Sequence, residues 1–186
     1  MPKAEAFVPL LAGAPVRELR TTFVRRVQLL PLIQSAPVNF LYTSGKPNRF
    51  NPAGTPCVYF AEDEATAAAE FGRHFAFSRE PFVTYFAEVQ LRAVLDLCDA
   101  DTREALGLTP ADLRAPWIGV RAPTVTQILG DTMTRQKRIS AIRFPSDASR
   151  AKGGNGSNVV IYQSCVYRPD FVRILGPTRE PLQTWP

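Results

Sequence analysis

Residues 48–77 read NRFNPAGTPCVYFAEDEATAAAEFGRHFAF, and three local signals follow one another in this stretch. Asn51-Pro52 and Gly54 punctuate a turn, as Ser44-Gly45 and Pro47-Asn48 do just before it, so Thr43–Pro56 reads as turn-rich. Cys57–Ala61 is a short apolar run with the composition of a buried strand. Glu62, Asp63 and Glu64 then open a helix predicted over Glu62–Phe77, acidic at the end where the helix dipole favours acid. Ala67, Phe71 and Phe75 recur every four residues in it, an apolar stripe.

Working outward, both kinds of element continue in short pieces. Thr21–Leu30 is predicted as a strand entering a turn at Pro31, and Val38–Tyr42 as a short strand. Phe82–Leu91 reads as a strand, with Val94–Leu97 a second one. Thr109-Pro110 and Ala122-Pro123-Thr124 read as helix starts with proline in the first turn, the second helix running to about Arg138. Ile139–Phe144, Asn158–Gln163 and Phe171–Leu175 are predicted strands, with Lys152–Ser157 a flexible loop between the first two. Residues 1–16 read as a loosely packed segment. No regular βαβ rhythm emerges, so the expected class is α+β, with a mainly antiparallel, split sheet. The 186 residues fit one domain, 1–186, with its core over about 20–165.

Composition narrows the function classes. A net charge of +5 suits anionic ligands, but the Lys and Arg residues are spread thinly, without a basic run or zinc-finger spacing. Direct nucleic-acid binding is therefore not expected. Cys57, Cys98 and Cys165 form no CxxC pair, and there is one histidine, so the expectation is no metal site and three buried free thiols in a reducing compartment. The first residues do not read as a signal peptide, and no apolar stretch approaches the roughly 18 residues of a membrane helix. A cytoplasmic protein is expected. No GxGxxG, Walker loop or GxSxG elbow is present. Gly153-Gly154-Asn155-Gly156 has the backbone to cradle a phosphate, though a plain hairpin loop accounts for it first.

Four polar residues stand in useful positions. Arg49 lies in the turn before a strand, Tyr59 in the short strand, Glu70 mid-helix behind Ala67–Ala69, and Ser146 after Phe144-Pro145. Glu70 shares a helical face with Thr66 and His74, and the alanines let another group approach it. Singly, each has an ordinary explanation: a loop cation, a core tyrosine, a surface glutamate pairing with Arg73 or His74, a turn serine.

Together they carry a resemblance. Asn48–Tyr59 resembles the GRWNPPGxPVVY signature of the RES family. Ala65–Glu70 followed by His74 resembles its ALAxxE…H helix, and Ile142-Arg143-Phe144-Pro145-Ser146 with Gly153-Gly154 and Asn158-Val159-Val160 resembles its YPSAR…GGxNxV close. The match spans about residues 20–165. Phe50 replaces the usual tryptophan, Asn48 a glycine, and Asp147 the alanine after the serine. The register leaves Arg25 or Arg26 as the family's early strand arginine, Arg26 preferred because Val27 follows it, and Ser149 as an alternative to Ser146.

The resemblance implies an ADP-ribosyltransferase-like fold, a split, mainly antiparallel sheet flanked by helices. It implies an enzyme that consumes NAD+ as substrate, by glycohydrolysis, phosphorolysis or ADP-ribosyl transfer, and a toxin paired with an Xre-type helix-turn-helix antitoxin. The implied roles suit the residue types. Arg26 and Arg49 would hold the diphosphate bidentately, Tyr59 would stack on nicotinamide, Glu70 would stabilise an oxocarbenium-like ribose, and Ser146 would orient substrate or nucleophile. Catalysis is assigned to Glu70, Arg49 and Ser146, with no metal. Water, phosphate or a protein side chain stay open as acceptor. The rival expectations are a non-enzymatic nucleotide- or partner-binding module on the same fold and a basic nucleic-acid-binding protein.

Overall fold

The computed structural model describes residues 4–34, 36–75 and 79–186. Among them, seven strands form one hydrogen-bonded sheet: β1 (Arg17–Gln28), β2 (Cys57–Ala61), β3 (Phe82–Asp96), β4 (Ala141–Pro145), β5 (Ser157–Tyr162), β6 (Phe171–Leu175) and β7 (Pro181–Trp185), in the order β1-β2-β5-β4-β3-β6-β7. Every pairing is antiparallel except β3 with β4, so the chain is α+β with a mainly antiparallel sheet.

The sheet is not split. β1 pairs with β3 as well as β2, which closes β1, β2, β5, β4 and β3 into a barrel-like ring. The cause is the length of β3. It runs unbroken through Arg92 and Ala93 instead of forming two strands, so β1 follows one edge from Phe82 to Val94 while β6 and then β4 share the other.

Strand alternation sends side chains to two apolar layers. Phe23, Val58, Phe60, Ala87, Val89, Leu91, Val159 and Ile161 form one buried cluster. Ile142, Phe144, Val160 and Tyr162 turn the other way, against Phe7 and Leu11 of α1 (Ala4–Gly13) and Leu129 and Met133 of α6 (Val125–Gln136). Residues 4–13 are thus a packed helix rather than a loose segment, because Phe7 and Leu11 bury one face, and Arg138 donates to the Leu11 carbonyl at 2.8 Å. Residues 1–3 of that expectation lie outside the described residues.

Val38–Tyr42 is irregular rather than a strand: the Leu41 N–H donates to the side chains of Asn39 and Gln183 instead of a ladder. Pro31 falls inside a short helix, α2 (Leu29–Ile33), without ending one. α3 covers Glu64–His74, starting where the Asp63 carboxylate caps the Thr66 N–H at 2.7 Å; its predicted end at Ala76-Phe77 lies outside the described residues. Its buried face is Thr66, Ala67 and Ala69, so the expected stripe fails at Phe71 and Phe75, which are partly exposed. α4 (Ala100–Ala105) and α7 (Asp147–Ala151) complete the set with α5 (Pro110–Arg114). Thr109 and Thr124 cap α5 and α6 through capping boxes, and Pro123 precedes the second cap. The cysteines are free, with Cys57 and Cys165 buried and Cys98 only half-buried. Among the described residues no helix is long and apolar enough to cross a membrane.

Candidate active site

The Asn48–Asn51 turn is held carbonyl by carbonyl. Gln127 Nε2 donates to the Asn48 oxygen at 2.9 Å, Thr126 Oγ1 to that of Arg49 at 2.7 Å, and the Tyr162 hydroxyl to that of Phe50 at 2.7 Å. Gly130 of α6 makes this approach possible, since a Cβ there would meet the Phe50 oxygen at 1.9 Å. Tyr59 works from the strand side: its hydroxyl accepts from the Phe50 N–H at 3.1 Å and donates to Asn51 Oδ1 at 2.9 Å. Burial pushes its phenol well above the ordinary range, so it stays a donor. The turn therefore presents Arg49 from a fixed frame.

α3 supplies the carboxylate. Its small buried face lets the loop after α7 come close, and a Cβ on Gly156 would meet Thr66 Oγ1 at 1.9 Å. That proximity puts two donors on one oxygen of Glu70: Ser146 Oγ reaches Oε1 at 2.6 Å and Asn158 Nδ2 at 2.7 Å. Among the described residues Oε2 takes no hydrogen bond. Glu70 is accordingly not a solvated glutamate pairing with Arg73 or His74.

Between turn, helix and strands lies a cleft of about 370 Å³. Arg26, Arg49, Tyr59 and Glu70 all line it, and so does Arg25. Ser146 stands one step behind the wall. It is fully buried, caps α7 by accepting from the Ser149 N–H at 3.0 Å, and reaches the cleft only through Glu70. Ser149 instead accepts from the Gly156 N–H at 3.1 Å. The two strand arginines differ. Arg26 donates to Thr84 Oγ1 at 3.2 Å and lies 4.3 Å over the Phe82 ring. The Nη1 of Arg25 is buried without a hydrogen-bond partner among the described residues.

Arg73, His74, Trp117, Asp147 and Asn158 also line the cleft without having been assigned a role from sequence. Asn158 sat inside a quoted motif and Asp147 was visible as a departure from one, but Trp117 lies in a loop that carries no pattern. Asp147 pairs with Arg49 at 3.5 Å. Burial pulls the Arg49 guanidinium below its ordinary range, and Asp147 opposes that. The cleft thus gathers Arg25, Arg26, Arg49 and Arg73 against Glu70 and Asp147, an excess of positive charge around one fixed carboxylate. Among the described residues no group of three or more His, Cys, Asp or Glu is placed to hold a metal ion.

The RES domain model matches residues 24–182, and the chain belongs to that family. No curated protein matches the chain significantly. Its fold is similar to a chain in the crystal structure of the M. tuberculosis MbcT-MbcA toxin-antitoxin complex, with a TM-score of 0.65 and 20% sequence identity over 97% of this chain and 91% of that one. At this identity the likeness is one of fold.

Proposed function

We propose that this chain, as a single RES domain, cleaves the nicotinamide–ribose bond of NAD+ and serves as the toxin of a toxin–antitoxin pair in the cytoplasm. The observation that carries the reading is Glu70: a carboxylate fixed through Oε1, with Oε2 left to the cleft, inside a ring of arginines. NAD+ offers a diphosphate to the arginines and a ribose whose C1′ gains positive charge as the bond to nicotinamide breaks. The bonding pair passes to the pyridinium ring, which leaves as neutral nicotinamide. A carboxylate held against the ribose stabilises the cationic sugar more than the ground state, and that difference lowers the barrier. Water, phosphate or a protein side chain then bonds to C1′.

Each residue has a task in this reading. Arg49 and the strand arginines bind phosphate, the Tyr59 ring borders the nicotinamide, and Ser146 with Asn158 sets the carboxylate. Family membership and the toxin–antitoxin neighbour support a protein partner that silences the enzyme, an Xre-type helix-turn-helix antitoxin. The test is direct. Purified protein is incubated with NAD+ alone, with phosphate and with candidate acceptor proteins, and free nicotinamide is followed. Release by wild type and its loss in Glu70→Gln support the reading; no release above buffer under any of these conditions removes it.

A further inference from the structure

We propose that Asp147 is an internal counter-ion for Arg49, one that an anionic ligand must displace to enter the cleft. This rests on the reading that the cleft takes a diphosphate-bearing nucleotide. Arg49 is the best-anchored cation of the site, since the carbonyl it offers to Thr126 and the neighbouring ones fix its backbone. Its guanidinium is already engaged at both ends, by the Leu113 carbonyl through Nη1 and by Asp147 through Nη2 at 3.5 Å. Both side chains of the ion pair line the cleft and keep some exposure, 15% for Arg49 and 22% for Asp147, so the pair sits where a ligand phosphate would arrive.

A phosphate approaching Arg49 meets a carboxylate in its place. Like charges a few ångströms apart repel strongly where water is partly excluded. Binding therefore exchanges one anion for another on the same guanidinium, and Asp147 lowers the affinity of the site without touching its shape. Asp147 also begins α7, where a carboxylate has an ordinary use in complementing the helix end. That alternative makes a different prediction: it concerns the fold and is indifferent to the charge of the ligand.

The experiment is a binding titration of wild type and Asp147→Asn with two probes, ADP-ribose, which carries the diphosphate, and adenosine, which does not, at low and moderate salt. Asn keeps the size and removes the charge, and the α7 cap, Ser146, is untouched. Expected is an ADP-ribose Kd about tenfold lower in Asp147→Asn, the difference growing at low salt, with the adenosine Kd unchanged. An ADP-ribose Kd that is unchanged or higher in the variant overturns the proposal, as does an equal shift for both probes. Wild type that binds ADP-ribose normally while the variant shows no gain removes only the counter-ion role. If neither protein binds ADP-ribose at all, the diphosphate reading falls together with it.

Discussion

Ser146 and Glu70, 76 residues apart in the chain, meet through a 2.6 Å hydrogen bond from Oγ to Oε1, and Asn158 reaches the same oxygen at 2.7 Å. One carboxylate oxygen is therefore committed to the protein and the other is left to the cleft. Glu70→Gln tests the division. The amide oxygen still accepts both donors while the charge is gone, so the packing should survive, as should the helix, because Glu and Gln have similar propensity. Removing one well-placed electrostatic group typically costs roughly 10²–10³ in rate. Nicotinamide release should fall by about that much with an unchanged melting temperature; wild-type release would return Glu70 to an incidental place.

Ser146→Ala and Asn158→Ala separate holding the carboxylate from holding the fold. Ser146 also caps α7, and losing a cap costs about 1 kcal/mol. Asn158 makes no such cap, so Asn158→Ala should lose activity with the smaller change in denaturant midpoint. Both variants should retain ligand affinity more than rate. Equal destabilisation with full activity in both would mean that the oxygen of Glu70 needs no orientation.

Much of this arrangement was legible beforehand, and the failures have physical causes. β2 and β6 were readable to the residue, because Cys57–Ala61 and Phe171–Leu175 are apolar runs with clear ends. Thr109-Pro110 showed where α5 begins, with proline in its first turn, whereas Pro123 lies before the Thr124 cap of α6 rather than in the first turn. α1 escaped because Pro9 interrupts its pattern, although Phe7 and Leu11 keep the helical spacing. β7 has mostly exposed side chains at the sheet edge, so no apolar pattern marks it. The stripe of α3 misled because Phe71 and Phe75 pack on each other with tilted rings, centroids 4.8 Å apart, at the cleft rather than in the core. Closure of the ring follows from the β1–β3 pairing, a contact between segments that a local pattern does not connect. The four dispersed candidates were legible as residues, while their relation was not: Ser146 serves the cleft through Glu70.

Gly130 should be the least replaceable residue of the turn's frame. An added Cβ would lie 1.9 Å from the Phe50 oxygen and 2.4 Å from the Tyr162 hydroxyl, and backbone cannot yield as a flexible side chain does. Overpacking of this kind costs about 1–3 kcal/mol or more. Gly130→Ala should lower the denaturant midpoint and also weaken ADP-ribose binding, because the turn that carries Arg49 must shift. A variant with wild-type stability would show that α6 can move away freely.

Alkaline stability should report the buried Cys57 and the half-buried Cys98. Burial pushes the Cys57 thiol up to about 12 and the Cys98 thiol up to about 11, against an ordinary value of 9.0. Each holds its proton more tightly folded than unfolded. Their contribution is therefore fully present below about pH 9 and is lost as pH rises through 11 to 12. Melting temperature should fall progressively above about pH 9, less steeply in Cys57→Ala than in wild type. Since thiolate is the reactive form, native protein should resist iodoacetamide at about pH 8 and react once denatured. Rapid native alkylation of Cys57 would contradict its burial.

The two strand arginines give the last test, because both line the cleft but are held by different neighbours. In register with β3, Arg25 lies opposite Tyr85 and Arg26 opposite Thr84. Arg26 is occupied by Thr84 and the Phe82 ring, so replacing it removes packing that exists without ligand; cation–π contacts are worth about 0.5–2 kcal/mol. Arg25 keeps a buried Nη1 with no partner among the described residues, and an unmade hydrogen bond on a buried donor is costly, about 1–3 kcal/mol. The Arg25 guanidinium also faces the Tyr85 hydroxyl; on the proposed function, a phosphate reaching Nη1 would recover the cost, and Arg25 is expected to be the better anion ligand of the two. Arg25→Gln should weaken ADP-ribose binding by about tenfold or more with little loss of stability. Arg26→Gln should lower the melting temperature with a smaller effect on Kd. The reverse pattern, with Arg26→Gln abolishing binding in a stable protein, would assign the phosphate to Arg26 and leave the Arg25 guanidinium as part of the ring's packing.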